Sequence, residues 1–394
     1  MSAPPTGPLW DVFCRVIDNR GDAGVAWRLA RNLAMRGQRV RLWIDERVAL
    51  AGMADAHDDA LVAAGTVEVR DWADADRHDF DAPAGGLGQR LVEMFGCEPP
   101  DAVVAARGRR QPPPPWINLE YLSAESYVER SHGLRSPILA GPAQGQERWF
   151  FFPGFTPRTG GLLREPGLAE ARRNHAVSDW WPASAGERPA RIGSLFHYPL
   201  AGPLAGWPEA FAARSGRGWG WIRPGRQVGG PDACEASGGP VRSWPWLTQS
   251  GYDRLLWSCE LNVVRGEDSF VRAQWAARPF VWQAYPQADG AHQAKVEAFL
   301  DRYLEDVESP HLAEAVRLAF RALNGSQPAG RLVPAIERAL QPAAGWARHA
   351  RRWAEALERQ ADLASQVIAF ADRHDGYRPP APRGSQAAGS AGLE

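Results

Sequence analysis

Residues 10–45 read WDVFCRVIDNRGDAGVAWRLARNLAMRGQRVRLWID, and this stretch decides the fold. WDVFCRV alternates apolar and polar positions as a strand does, and IDNRGDAG breaks the alternation. Val25, Ala26, Leu29, Ala30, Leu33 and Ala34 then recur at helical spacing until Gly37 stops the helix. RVRLWID, from Arg39 to Asp45, is a second strand, so the segment is one βαβ unit whose crossover favours a parallel sheet.

Working outward, further strands are expected at TVEV (66–69), WINL (116–119) and RWFFF (148–152). A polar, proline-containing stretch from about Ala171 to Pro189 has the composition of a hinge. The cycle then restarts: ARIGSLFH (190–197) as strand, GWPEAFAAR (206–214) as helix and GWGWI (218–222) as strand. SGYDRLLWSC (250–259) is a helix leading into LNVV (261–264), RGEDS turns into the helix SFVRAQWAA, and PFVWQ (279–283) is the next strand. Trp346, Ala350, Trp353, Leu357, Ala361, Ala364 and Ile368 mark one face of a long C-terminal helix, and the tail from Gly376 reads as disordered. The expected fold class is therefore α/β, with two Rossmann-like domains facing a cleft in which each half contributes one reactant.

Composition narrows the function classes. The chain has 394 residues, enough for two or three domains at roughly 150 residues each, and its apolar and charged fractions are those of an ordinary folded protein. With 45 basic against 46 acidic residues the net charge is −1, so there is no global field to hold nucleic acid or an anionic membrane. Cys14, Cys97, Cys234 and Cys259 show neither CxxC pairing nor metal-finger spacing. With no signal-like start and no apolar run long enough to span a bilayer, a reduced, cytoplasmic setting is expected. Most of the 18 tryptophans must be packing residues, leaving few for a site.

Two constellations can carry chemistry. Asp18, Asn19, Arg20, Gly21, Asp22, Ala23 and Gly24 lie at the carboxyl end of the first strand, where ligands of open α/β sheets bind. The segment lacks both GK[ST] and GxGxxG, which disfavours a phosphate loop and a nicotinamide oxidoreductase. Asp18 and Asp22 offer two carboxylates; alternatively, Asp22 caps a helix beginning near Ala23 and Asp18 forms an Asx turn. The second constellation is Arg265, Gly266, Glu267, Asp268 and Ser269, where a helix start suits a diphosphate. Two acids there repel a diphosphate unless Glu267 faces a donor hydroxyl or an arginine, and Asp268 as N-cap with Glu267 in the first turn is the structural alternative. Trp246, Gln249 and Tyr252 combine aromatic faces with an amide able to read a base edge, or else pack an amphipathic helix. DWADADRHDFD (71–81) matches no standard metal spacing, RHARRWAEALER (348–359) reads as a surface helix, and no nucleophile signature such as GxSxG is present.

The blocks VIDNRGDAGVAWRLARNLA, INLEYLSAE, FFPGFTPRTGGLLRE and LLWSCELNVVRGEDSFVRAQWAARPFVWQAYPQ, in this order, resemble the EarP family. These are protein-arginine rhamnosyltransferases that modify bacterial translation elongation factor P, and the resemblance spans roughly residues 10 to 370. It implies a GT-B glycosyltransferase: residues 1–180 as the acceptor domain, 185–345 as the nucleotide-sugar domain, a helix at about 346–372 packing back on the first domain, and a disordered tail over 376–394. It implies inverting transfer from dTDP-β-L-rhamnose without a metal or other cofactor, with elongation factor P as partner and translation of polyproline stretches as the purpose. The family's two loop aspartates fall on Asp18 and Asp22, for acceptor binding and catalysis, and its Glu-Asp-Ser falls on Glu267, Asp268 and Ser269, with Glu267 also catalytic. Its donor pocket maps onto Phe196, Trp246, Gln249, Tyr252, Arg265 and Tyr285. Trp246 stands where phenylalanine is expected, and SLFHYP leaves open whether Phe196 or Tyr198 faces the base. The alternatives are a GT-B enzyme with a lipid, glycan or small-molecule acceptor and a non-catalytic protein that docks on a translation factor.

Overall fold

In the computed structural model, the described residues are 7–376 except 19, 183–184, 201, 217, 226–234, 237–238, 342 and 344. The proposed tail beyond Gly376, Asn19 of the first loop and Cys234 thus lie outside the described residues.

The first half contains strands β1 (Leu9–Cys14), β2 (Arg39–Ile44), β3 (Val67–Asp71), β4 (Arg90–Met94), β5 (Trp116–Leu119), β6 (Arg135–Pro137) and β7 (Glu147–Phe151). Its helices are α1 (Arg20–Ala34), α2 (Ala56–Ala63), α3 (Asp101–Arg109), α4 (Ser126–Ser131), α5 (Leu168–Arg173) and α6 (Val177–Trp180). The second half contains β8 (Arg191–Leu195), β9 (Trp219–Arg223), β10 (Glu235–Ala236), β11 (Val241–Ser243), β12 (Leu261–Arg265) and β13 (Phe280–Gln283). Its helices are α7 (Trp207–Arg214), α8 (Gln249–Ser258), α9 (Asp268–Trp275), α10 (Ala291–Tyr303), α11 (Pro310–Leu323), α12 (Leu332–Ala339), α13 (Trp346–Glu358) and α14 (Leu363–Arg373).

The strands form two sheets, ordered β3-β2-β1-β4-β5-β7-β6 and β10-β11-β9-β8-β12-β13. All pairings are parallel except those of the edge strands β6 and β10. With the antiparallel edge strands β6 and β10 set aside and the parallel strands of each half counted in chain order, the sheets run 3-2-1-4-5-6 and 3-2-1-4-5, so the strand order reverses beside β1 in one and beside β8 in the other. Ligands of such sheets bind outside the carboxyl ends at that reversal. Two doubly wound α/β units of this order facing one cleft are the GT-B arrangement.

Two expectations need correcting. The stretch from Ala171 to Pro189 is not a bare hinge: α6 lies within it, α5 leads into it, and Arg172 fastens it by donating to Trp275 O at 2.6 Å and to Glu358 at 3.0 Å. The C-terminal helix is two helices. Arg164 takes the carbonyls of Glu358 and Gln360, and Asp362 caps a new helix by accepting from Ser365 N at 3.0 Å. The apolar stripe continues through the break because each piece buries it against a different core. Trp346 and Leu357 of α13 join the core of the second half, whereas Leu363, Val367 and Phe370 of α14 join that of the first. Tryptophan is mostly packing, as expected: Trp10, Trp43, Trp116, Trp221, Trp244 and Trp346 are fully buried, whereas Trp246 is 41% exposed.

Candidate active site

The chain leaves β1 at the strand-order reversal and turns into α1 at Arg20, three residues before the expected start. Gly21 N donates to Asp18 O at 2.6 Å, closing the turn through the backbone and not through an Asx side chain. Asp22 is not an N-cap either. It sits in the first helical turn, 3% exposed, and its Oδ2 accepts from Ile17 N at 2.8 Å and Asp18 N at 2.9 Å, folding the loop back over the helix start. The Tyr121 phenol, from the segment after β5, also bonds to this carboxylate, and burial together with that acid raises its pKa.

Asp18 reaches across the cleft. Its Oδ2 accepts from the Tyr198 hydroxyl at 2.5 Å, tying the loop after β1 to the segment after β8. Two glycines permit this approach: a Cβ on Gly21 would lie 2.7 Å from Asp18 Oδ2, and one on Gly266 would lie 2.9 Å from it. Gly266 also has φ +59°, which disfavours any residue with a side chain. Burial raises the pKa of Asp18, with the Tyr198 hydrogen bond and the Arg265 charge opposing the shift.

Between the halves lies a cavity of about 680 Å³, walled by Phe196, Trp246, Gln249, Tyr252 and Arg265. Phe196 meets Tyr252 edge to face at 5.5 Å and Trp246 at 6.4 Å. Of the two residues that SLFHYP offers, Phe196 lines the aromatic pocket, whereas Tyr198 turns to Asp18 and to Tyr285, whose ring lies 5.5 Å away. The Arg265 guanidinium lies over both Phe196 (4.6 Å) and Tyr198 (4.8 Å). Gln249 donates through Nε2 to Gly24 O of the first half at 2.9 Å, while its Oε1 is buried without a partner. Ser269 closes the turn after β12, its hydroxyl donating to Arg265 O and accepting from Arg265 N.

The two acids between Gly266 and Ser269 face the first half. Glu267, not Asp268, occupies the N-cap position of α9, without a side-chain capping bond, and its Oε2 accepts from Leu122 N at 2.9 Å. Burial pushes its pKa up to about 8, with the Leu122 N–H and the Lys295 charge opposing the rise. Asp268 is paired with Arg28 of α1, Nε to Oδ1, at 2.6 Å. Arg28 is fully buried and also meets Glu165 at 2.9 Å and Asp253 at 3.2 Å, and Arg272 binds the same two acids at 2.7 Å. Five charged side chains from three helices and a loop thus form one network across the domain boundary.

A second cavity of about 950 Å³ adjoins the first and is lined by Asp18, Asp22, Tyr121, Glu267, Tyr285 and Lys295 among others. The sequence reading assigned no role to Tyr121, Lys295 or Arg28. Tyr121 follows the carboxyl end of β5, the position at which such sheets place ligands, and Lys295 is the chain's only lysine, so each carried a usable signal. Lys295 Nζ lies 5.5 Å from the Tyr121 ring. In the 71–81 segment, Asp71 caps a short turn and His78 bonds to Gly85 O. Among the described residues no group of three or more His, Cys, Asp or Glu could hold a metal ion, and no helix is long and apolar enough to cross a membrane.

Comparison with known proteins agrees with this architecture. Residues 10–372 match the family described as elongation-factor P (EF-P) rhamnosyltransferase EarP. A protein-arginine rhamnosyltransferase of Pseudomonas aeruginosa is 40% identical over 384 residues, covering 92% of this chain and 98% of that protein. One from Neisseria meningitidis is 32% identical, covering 96% of this chain and all of that one. A solved structure described as the structural basis for EarP-mediated arginine glycosylation of translation elongation factor EF-P superposes with a TM-score of 0.57 at 28% identity, covering 93% of this chain and 99% of that chain. The chain is a glycosyltransferase and belongs to the EarP family of rhamnosyltransferases.

Proposed function

We propose that this enzyme transfers L-rhamnose from dTDP-β-L-rhamnose to an arginine side chain of translation elongation factor P, with inversion, in the cytoplasm, and so supports translation of polyproline stretches. The observation that carries the reading is the meeting of the Asp18 and Asp22 loop with the Arg265 to Glu267 turn in one cleft beside an aromatic pocket. The base of the donor occupies the pocket of Phe196, Trp246 and Tyr252, with its diphosphate toward Arg265 and the start of α9. The acceptor guanidinium enters the second cavity, where Asp18 and Asp22 orient it. One guanidinium nitrogen attacks C1 of the sugar from the face opposite the diphosphate, the C1–O bond breaks, and its electron pair leaves with dTDP. The proton released from nitrogen passes to Asp22. A free guanidinium holds its proton to a pKa above about 12, so a positioned carboxylate is what makes this attack feasible near neutrality. Arg265, Tyr285 and the helix start meet the charge gathering on the diphosphate, which is why we propose transfer without a metal.

The test is intact-mass measurement of elongation factor P after incubation with the full chain and dTDP-β-L-rhamnose, with and without EDTA. Gain of one rhamnose on arginine in both arms is the expected result. An unmodified acceptor refutes the acceptor assignment, and activity lost in EDTA and restored by Mg²⁺ refutes the metal-free step.

A further inference from the structure

Arg20 stands in the first loop constellation without a role of its own, there or in the scheme above, yet it lies in the wall of the first cavity. Its guanidinium sits 4.0 Å from the centre of the Trp246 ring, and Nη1 donates to Ala51 O at 3.0 Å. Burial in the cleft lowers its pKa without removing its charge at neutrality. Stacking and a backbone anchor together hold a long side chain that would otherwise be free. The same cavity is lined by Gln249, 6% exposed, with Nε2 spent on Gly24 O and Oε1 unpartnered. The two are anchored to one short segment: Arg20 to Ala51 O, and Gln249 through its backbone N–H to Met53 O at 2.8 Å. Two residues of chain span at most about 7 Å, so the two anchors are neighbours, and a fixed acceptor and a fixed cationic donor line one cavity.

That pair is complementary to one edge of a pyrimidine-2,4-dione, where a ring N–H lies between two carbonyl oxygens. We propose that Arg20, contributed by the acceptor domain, reads the base of the nucleotide donor by donating to its C4 carbonyl oxygen while Gln249 Oε1 accepts the ring N–H. Cytosine carries an acceptor at that ring nitrogen and an amino group beside it, so it would set acceptor against Oε1 and donor against Arg20. A buried site built to pair with one pattern rejects the other because its own groups are left unpaired. This inference rests on the donor reading proposed above.

The test is calorimetric affinity of the full chain, its Arg20→Ala variant and its Arg20→Gln variant for dTDP, dCDP and inorganic pyrophosphate. For the unaltered chain, dTDP should bind well above both other probes. Arg20→Ala should shrink the dTDP to dCDP preference about tenfold and leave pyrophosphate unchanged, which also reports an intact fold. Arg20→Gln, which keeps a neutral donor, should fall between the two. An unchanged preference in both variants overturns the role of Arg20, and a parallel loss for pyrophosphate overturns it by moving Arg20 to the diphosphate. If the unaltered chain binds dTDP no better than pyrophosphate, the donor reading itself fails and takes this inference with it.

Discussion

Replacing Asp22 by asparagine separates the chemistry of this carboxylate from its structural work, because the structure gives a tally of what each oxygen does. A carboxylate has about four acceptor positions. Oδ2 takes the N–H groups of Ile17 and Asp18, and the Tyr121 hydroxyl takes a third position. One position remains at a residue that lines the second cavity. The asparagine carbonyl still accepts both backbone N–H groups, and a phenol can rotate to accept from the amide, so the loop survives. The amide cannot accept a guanidinium proton. Since a positioned general base contributes about 10²–10⁴-fold, single-turnover transfer to elongation factor P should slow by that factor while dTDP affinity and the thermal midpoint hold. Asp22→Ala should in addition lose stability, because two half-buried N–H groups lose their acceptor, at about 1 kcal/mol each. Single-turnover intact-mass kinetics on both variants, alongside calorimetry, make the measurement. Transfer by Asp22→Asn at the unaltered rate would show that the carboxylate only shapes the loop.

Other expectations follow from the same geometry. Tyr198→Phe removes the hydroxyl that holds Asp18 down, so the acid limb of the pH–rate profile should move to higher pH with dTDP affinity unchanged; an unmoved limb contradicts the coupling. Arg28→Met leaves Glu165, Asp253 and Asp268 with less counter-charge and should cost about 3–5 kcal/mol, read as a lower calorimetric midpoint, while an unchanged midpoint means the network carries no stability. Glu267 has its folded pKa raised from 4.5 to about 8, so the native state retains a proton that the unfolded chain has released within this interval. Its contribution to stability is full below the unfolded value and lost as pH rises through the folded one, so Glu267→Gln should gain on the unaltered chain across that window. Urea unfolding of both proteins from about pH 5 to about pH 9 checks this, and a pH-independent difference refutes it.

What the sequence made legible divides along physical lines. Strands β1, β2, β5 and β12 are runs of apolar, β-branched and aromatic residues, and their alternation with helices identifies parallel α/β units. Strand β4 escaped although it lies centrally, pairing with both β1 and β5, because RLVEM carries an arginine and a glutamate. Glu93 is fully buried and takes Arg148 Nη1 at 2.6 Å, so the charge is paid for by a partner fifty-five residues away that no local pattern reveals. The same holds at the site. The first turn was readable as a wall of the cleft from topology, and the aromatic pocket from resemblance, since Phe196 and Tyr252 come together only through the sheet. Arg28 was invisible because an arginine within an amphipathic helix reads as a solvent-facing residue until Glu165, Asp253 and Asp268 are folded around it.

The partners of Glu267 and Asp268 answer the electrostatic objection to a diphosphate at the start of α9. Asp268 is held by Arg28, so its charge is opposed at 2.6 Å before any ligand arrives. Glu267 directs Oε2 to a backbone N–H of the first half and, with a pKa near 8, is mostly protonated at neutrality. The turn that looks doubly anionic in sequence therefore presents one neutral carboxyl and one compensated carboxylate, beside the cation of Arg265. Both compensations come from the first half, through α1 and through the segment after β5. The second half alone would present Asp268 without Arg28 and Glu267 without the Leu122 N–H, and would repel the diphosphate proposed to bind there. On the donor reading proposed above, donor affinity is a property of the two halves together, and it should fall with any change that parts α1 from α9, even one that touches no ligand.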